Sequence, residues 1–253
     1  MARDQLYHLS AYSYQSCKQS VSVGGIPLTG FASLGDALDA IHPQDRAARG
    51  IAFSINSEIV VRHHKSASFR SVVKRAHLCY ADGAPIVWIM QNRGVTGVRI
   101  AGCDLWLELM RRCANYGTSV YLLGAAPDVM AETKRRLTQE LGVKVVGCQD
   151  GFNFNLQDVI GDLQRLRPAV VSVALGAPRQ EILIDQLEQA WPDALYMGIG
   201  GTFDLYSGKV KRAPLWMQKN GFEWLFRLLQ APSRIIRYRS LLQFVWYYLS
   251  RKL

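Results

Sequence analysis

Short runs of apolar residues recur along the chain, each closing on a glycine, a proline or a small polar residue and each followed by a segment whose apolar positions fall three and four apart. The runs Gly50–Asn56 (GIAFSIN), His77–Ala81 (HLCYA), Ser119–Leu123 (SVYLL), Val143–Gly147, Ala169–Leu175 and Ala194–Ile199 read as strands. The intervening segments predict helices over Leu34–Ile41, Ala67–Arg75, Ile86–Asn92, Leu105–Tyr116, Asp128–Leu141 and Leu156–Leu166, with another opening near Gln180. Pro85 suits a first helical turn, and Asn56 or Ser57 suits the cap of a helix carrying Glu58. Val21–Pro27 (VSVGGIP) reads as a short hairpin, whereas residues 1–20 show no period and are expected to be poorly ordered. Strand, glycine loop and helix alternate through the middle of the chain, which predicts an α/β fold: a parallel sheet with helices on both faces.

After Asp204 the pattern changes. Leu205–Pro214 reads as an irregular basic loop, Leu215–Gln230 as an aromatic-rich helix, and Ser233–Leu249 as a second helix beyond the break at Pro232. The division expected is an α/β domain over 21–207 and a basic helical appendage over 208–253. Charge sharpens this picture, because from Lys209 onward ten basic residues face a single acid, Glu223, so that +9 of the net +10 belongs to the appendage. A polycation of this kind points to a polyanionic partner: a membrane surface, a diphosphate or nucleic acid. The last helix joins Arg234, Arg237 and Arg239 to Trp246, Tyr247 and Tyr248, a mixture that suits the lipid headgroup zone. The alternative is a helical hairpin packed on the body with its charges in water.

The chain length admits one large α/β domain with an appendage. The opening MARDQLYHLSAYSYQS lacks the apolar core of a secretory signal, and no window reaches the ~18 apolar residues of a membrane span. Five cysteines without a CxxC read as reduced thiols in a cytoplasmic protein.

Candidate chemistry gathers at the predicted strand ends. Gly176 and Pro178 turn the chain off one strand and leave Arg179, Gln180 and Glu181 at the first turn of a helix, where exposed N–H groups suit an anion. Gly200 and Gly201 leave a bare backbone at the next strand end, with Asp204 in reach of a sugar hydroxyl or a base edge. The competing reading is that these glycines only turn the chain. Asp82 follows a strand and precedes Gly83; it is either a helix cap or, facing the crevice, the best placed carboxylate to act as a base. Ser54 and Asn56 end another strand, as ligand contacts or as a cap and turn. GxGxxG, GxxxxGK[ST], HExxH, GxSxG and DxD are all missing, so no metal or cofactor is expected, and a diphosphate leaving group would rely on helix N-termini and arginines.

The blocks SINSE (54–58), YADG (80–83), RIAGCDLW (99–106), YLLGAAP (121–127), VVGCQDGF (145–152), VALGAPRQE (173–181), MGIGGTFD (197–204), GKVKRAP (208–214) and FEWLFRLLQAPSRIIR (222–237), in this order, resemble the WecG/TagA/CpsF family of bacterial glycosyltransferases from about Gly24 onward. The resemblance implies an inverting enzyme with a Rossmann-like fold, a membrane-associating C-terminal appendage and no DxD metal site. It implies Asp82, Ser54 and Asn56 as catalytic residues. By position it matches Gln180, Asp204 and Phe152 to the family's substrate contacts, and the full substrate-binding set expected is Arg99, Gly124, Ala125, Phe152, Gln180, Glu181, Gly200, Gly201 and Asp204, with Arg212, Arg227 and Arg234 of the appendage meeting diphosphate charge. The partners implied are a UDP-sugar donor, a polyprenyl-diphosphate-linked acceptor and the inner face of the cytoplasmic membrane, and no nucleic acid. The stretches CQDGF, DALYMGIGGTFD and APSRI are closest to members that move N-acetylmannosaminuronic acid from its UDP donor to undecaprenyl-diphosphate GlcNAc in enterobacterial common antigen assembly. One departure is Asp150-Gly151-Phe152, where the family has HGY: a ring remains for stacking on uracil, and the phenol is lost.

Overall fold

The structure is a computed structural model that describes residues 20–214, 216–217, 225–226 and 235–253. The chain opens with a hairpin, β1 (Ser20–Val23) and β2 (Ile26–Thr29), turned at Gly24 and Gly25 with φ of +60° and +81°. Helix α1 (Leu34–Ile41) leads to β3 (Gly50–Ile55), after which Asn56 caps α2 (Ser57–Lys65) and Ser66 caps α3 (Ala67–Lys74) through side-chain oxygens. Then come β4 (Leu78–Ala81), α4 (Ala84–Asn92) with Pro85 in its first turn, and α5 (Gly102–Tyr116), stopped by Gly117 in the left-handed region. The alternation continues through β5 (Val120–Gly124), α6 (Pro127–Gln139), β6 (Val145–Gln149), α7 (Leu156–Leu166), β7 (Val170–Ala174), α8 (Arg179–Ala190), β8 (Leu195–Gly198) and α9 (Thr202–Tyr206). The last described helix is α10 (Ile235–Leu249).

One eight-stranded sheet carries these elements in the order β1-β2-β4-β3-β8-β7-β5-β6. Among the described residues only the β1–β2 pairing is antiparallel, so the sheet is the expected α/β, Rossmann-like one. Alternate residues of each strand face opposite ways, and two cores result. Ile51, Phe53, Val171 and Tyr196 pack under α2, α3, α4, α7 and α8, while Ala52, Leu122, Leu195 and Met197 pack under α1, α5, α6 and α9. In the second core the fully buried Trp106 directs its indole N–H to the Ser172 hydroxyl at 3.0 Å, so its polar atom is satisfied within the interior. Helix α10 lies along α2 and adds Phe244 to the first core. The chain end is tied there by His64, whose ring meets the Lys252 carbonyl at 2.8 Å, and by Arg93, which donates to the Leu253 carbonyl at 2.7 Å.

Three local expectations differ from this structure. The strand placed at Val143–Gly147 runs instead over Val145–Gln149: Val143 is buried as the apolar contact that closes α6, its N–H bonded to the Leu137 carbonyl after the left-handed turn at Gly142. Helix α5 starts at Gly102 rather than Leu105. The basic loop begins only after α9, a helix too short to show a period. The helix expected over 215–230 lies outside the described residues except for 216–217 and 225–226, as do residues 1–19, Arg227 and Arg234.

Candidate active site

The parallel strands all end at one edge of the sheet, and the polar residues gather in the turns there. Strand β4 hands on to Asp82, which stands before Gly83, the cap of α4. Asp82 does not serve that helix. Its Oδ2 accepts from the Gly102 N–H at the start of α5 at 3.2 Å, and its Oδ1 stands 3.4 Å from the Arg99 guanidinium. Both groups favour the charged carboxylate, the first through a helix N-terminus and the second through a full positive charge. Tyr80 is buried and hydrogen-bonded to Ser54; burial pushes its phenol up, so it serves as a neutral hydroxyl. A Cβ placed on Gly102 would lie 3.5 Å from Asp82 Oδ2, 3.5 Å from the Tyr80 hydroxyl and 3.6 Å from the Ser54 Cβ, so these residues converge on one spot. Asp104, in the first turn of α5, clasps Arg212 with two bonds of 2.5 and 2.7 Å and draws the basic stretch to the same place.

Asn56 supplies the expected cap: its Oδ1 accepts from the Ile59 N–H at 3.1 Å at the start of α2.

A second group forms where β7 and β8 end. Gly176 and Gly200 both adopt left-handed φ, +71° and +54°, and both direct their N–H to one atom, Gln180 Oε1, at 3.2 and 2.9 Å. Gln180, in the first turn of α8 as expected, thus ties the two glycine loops together through its side chain. Its side chain lies over Gly198, where a Cβ would come within 2.8 Å of Gln180 Nε2. Glu181 is buried as well, against the expectation of a contact open to ligand, and receives the Gln180 amide N–H at 2.9 Å. Burial pushes its carboxyl up, while the Gln180 hydrogen bond and the charge of Arg62 pull the other way. Asp204 belongs to the first turn of α9, with its carboxylate beside Gly201.

The third group ends β5 and β6. A Cβ on Gly124 would meet the Ala174 carbonyl at 2.4 Å, so only glycine lets this strand end lie so close to β7. Ala125 donates to that same carbonyl at 2.9 Å and accepts from the Gly151 N–H at 2.8 Å. Asp150 Oδ1 accepts from the N–H groups of Phe152 and Asn153 at 2.9 and 3.3 Å, a side-chain turn that leaves the Phe152 ring 72% exposed at the tip.

Register joins the groups. Ala52 pairs with Met197, so two residues on Ser54 stands level with Ile199, and the Asp82 group adjoins the Gln180 group across β3 and β8. Two strand spacings, about 10 Å, separate β4 from β8. Two hollows, one of about 330 Å³ lined by Arg93, Tyr248, Leu249, Arg251 and Leu253 and one of about 440 Å³ lined by Asp39, Pro43, Gln44, Arg112 and Tyr116, lie at helix C-terminal ends, away from this edge. Among the described residues, no three of His, Cys, Asp and Glu stand together as metal ligands would. Sequence reasoning missed Tyr80, Asp104 and Gly198. Tyr80 and Gly198 each lie within a quoted block, in register with neighbouring strand ends, and that was the available signal; the Asp104–Arg212 pair spans 108 residues and left none.

The family model described as "Glycosyl transferase WecG/TagA/CpsF family" matches residues 21–253.

Proposed function

Because the chain belongs to that family of glycosyltransferases, which serve surface polysaccharide biosynthesis, we propose that it moves N-acetylmannosaminuronic acid from UDP to undecaprenyl-diphosphate GlcNAc, with Asp82 as general base. The acceptor hydroxyl oxygen attacks the anomeric carbon as the bond from that carbon to the UDP oxygen breaks. The hydroxyl proton passes to an Asp82 carboxylate oxygen, the electron pair leaves with UDP, and the centre is inverted. The observation that carries this reading is the placement of Asp82. Its Oδ2 accepts from the Gly102 N–H at 3.2 Å and its Oδ1 stands 3.4 Å from the Arg99 guanidinium, which aims the carboxylate into the strand-end edge about 10 Å from the stapled glycine loops. The Gly176 and Gly200–Asp204 loops would hold the diphosphate and ribose, and Phe152 would stack on the base.

The acceptor keeps its polyprenyl chain in the bilayer, and α10 offers a surface for docking there. Leu242, Val245, Trp246 and Leu249 are exposed at helical spacing, opposite the buried Phe244, and Lys252 Nζ stands 4.5 Å over the Trp246 ring. Among the described residues no helix is long and apolar enough to cross a membrane. A peripheral position on the inner face of the cytoplasmic membrane is the reading this supports.

The test is incubation with candidate UDP-sugars and a short-chain GlcNAc-diphospholipid, reading product mass, with Asp82→Asn as control. The variant should lose transfer by about 10²–10⁴-fold and keep UDP binding; an active variant refutes the base assignment. One observation favours a second donor reading. Arg99 and Arg212 already face Asp82 and Asp104, which suits an uncharged UDP-ManNAc or UDP-glucose better than an acidic sugar. Product mass decides between the donors.

A further inference from the structure

Gln180 binds the two glycine loops through one atom, and that atom must be its oxygen, since two N–H donors converge on it. A primary amide can turn over by a half rotation, exchanging oxygen for nitrogen at almost no steric cost. Turned over, it would set N–H against N–H at both Gly176 and Gly200. What holds the correct orientation is an acceptor at the other end of the amide. Glu181 Oε1 is that acceptor, 2.9 Å from Gln180 Nε2.

Glu181 is an expensive residue for the purpose. Its side chain is buried, 4% exposed, and its Oε2 has no hydrogen-bond partner among the described residues. The nearest charges come from α2, where Arg62 attracts it, Glu58 repels it, and the two are bound to each other at 3.0 Å. A residue kept only for stability at such a position would be apolar, because an orphaned buried oxygen costs free energy that a methyl group does not. From this we infer that Glu181 is a positioning residue for the nucleotide diphosphate: it fixes the Gln180 amide, and through it holds both glycine loops in the shape that receives the donor. This rests on the donor site proposed above. Glu181 touches no substrate; it acts through Gln180 alone.

The experiment compares wild type, Glu181→Gln and Glu181→Met, measuring UDP affinity by calorimetry, melting temperature, and KM and kcat for the donor. Glutamine keeps an acceptor oxygen in the same place, so its UDP affinity should stay within about two-fold of wild type. Methionine matches the length and removes the acceptor; UDP should bind about ten-fold more weakly, donor KM should rise in step, and kcat at saturating donor should hold. Methionine removes the orphaned oxygen but leaves the buried Gln180 Nε2 without an acceptor, so that variant should melt no more than about 4–8 °C below wild type. Undiminished UDP binding by Glu181→Met overturns the inference, and so does Glu181→Gln binding as weakly as methionine. A Glu181→Met protein that melts more than that below wild type assigns the residue to the fold and overturns it too. Wild type that binds no UDP refutes the donor site itself, a separate result from any of these.

Discussion

Gly198→Ala adds one methyl group at the end of β8, and the structure states what that methyl meets: Gln180 Nε2 at 2.8 Å, Cδ at 3.1 Å and Cγ at 3.3 Å. Alanine suits a strand better than glycine, so without this neighbour the change would be neutral or mildly stabilising. Gln180 is only 6% exposed, however, and its oxygen holds two loop N–H groups. Withdrawal of the amide breaks both bonds at a net cost of about 1 kcal/mol each, hence about 2 kcal/mol. In a chain of this size that lowers the melting temperature by about 4–8 °C. UDP affinity should fall with it, because the loops that Gln180 joins are the proposed diphosphate cradle. A double-mutant cycle isolates the cause: in a Gln180→Ala background the new methyl has room, so Gly198→Ala should cost under about 0.5 kcal/mol there. Melting and UDP calorimetry on the four proteins give the answer. A single variant as stable and as avid for UDP as wild type refutes the reasoning, and so does a full penalty that persists without the Gln180 side chain.

Gly102→Ala places its methyl in ordinary contact with Asp82 Oδ2, Tyr80 and Ser54, so it should fold with an unchanged melting temperature, keep UDP binding and lose transfer; a fully active variant would show the reacting groups meet elsewhere. The carboxyl of Glu181 titrates above its ordinary value of 4.5 because it is buried. A raised pKa gives stability that is complete below the ordinary value and lost as pH climbs through the raised one. Urea midpoints of wild type and Glu181→Gln should therefore converge in acid and separate, with glutamine the more stable, as pH rises; parallel midpoints would contradict the burial argument. Leu242→Glu with Leu249→Glu should abolish sedimentation with anionic phosphatidylglycerol vesicles while turnover of a soluble short-chain acceptor is kept, and retained sedimentation would deny α10 its docking role.

The β/α alternation was legible because buried parallel strands and amphipathic helices leave different periods in a sequence. Leu34–Ile41 and Leu156–Leu166 were read to the residue. The strand assigned to Val143–Gly147 slipped because an apolar residue that closes a helix looks like one that opens a strand. At the site, glycines and the acids beside them could be found from spacing, whereas the direction in which a side chain turns could not. Nothing in the run PRQE says that Gln180 folds inward over Gly198, or that Asp82 passes over α4 to meet α5. Those choices follow from which strands become neighbours, and pairings such as Ala52 with Met197 join residues far apart in the chain.

The sheet order makes the final parallel strand its keystone. Strand β8 alone bridges β3 and β7, so a chain still lacking Leu195–Gly198 holds two separate half-sheets, β1-β2-β4-β3 and β7-β5-β6. During synthesis the half bearing Asp82 is made long before the half bearing Gln180; Arg75 can reach Asp185 and Glu188 of α8, but no strand ladder joins the halves until β8 slides between them. The centre proposed above is thus completed only once β8 has been made, so that a growing polypeptide lacks it until the residues that follow in sequence, the basic stretch, are about to emerge.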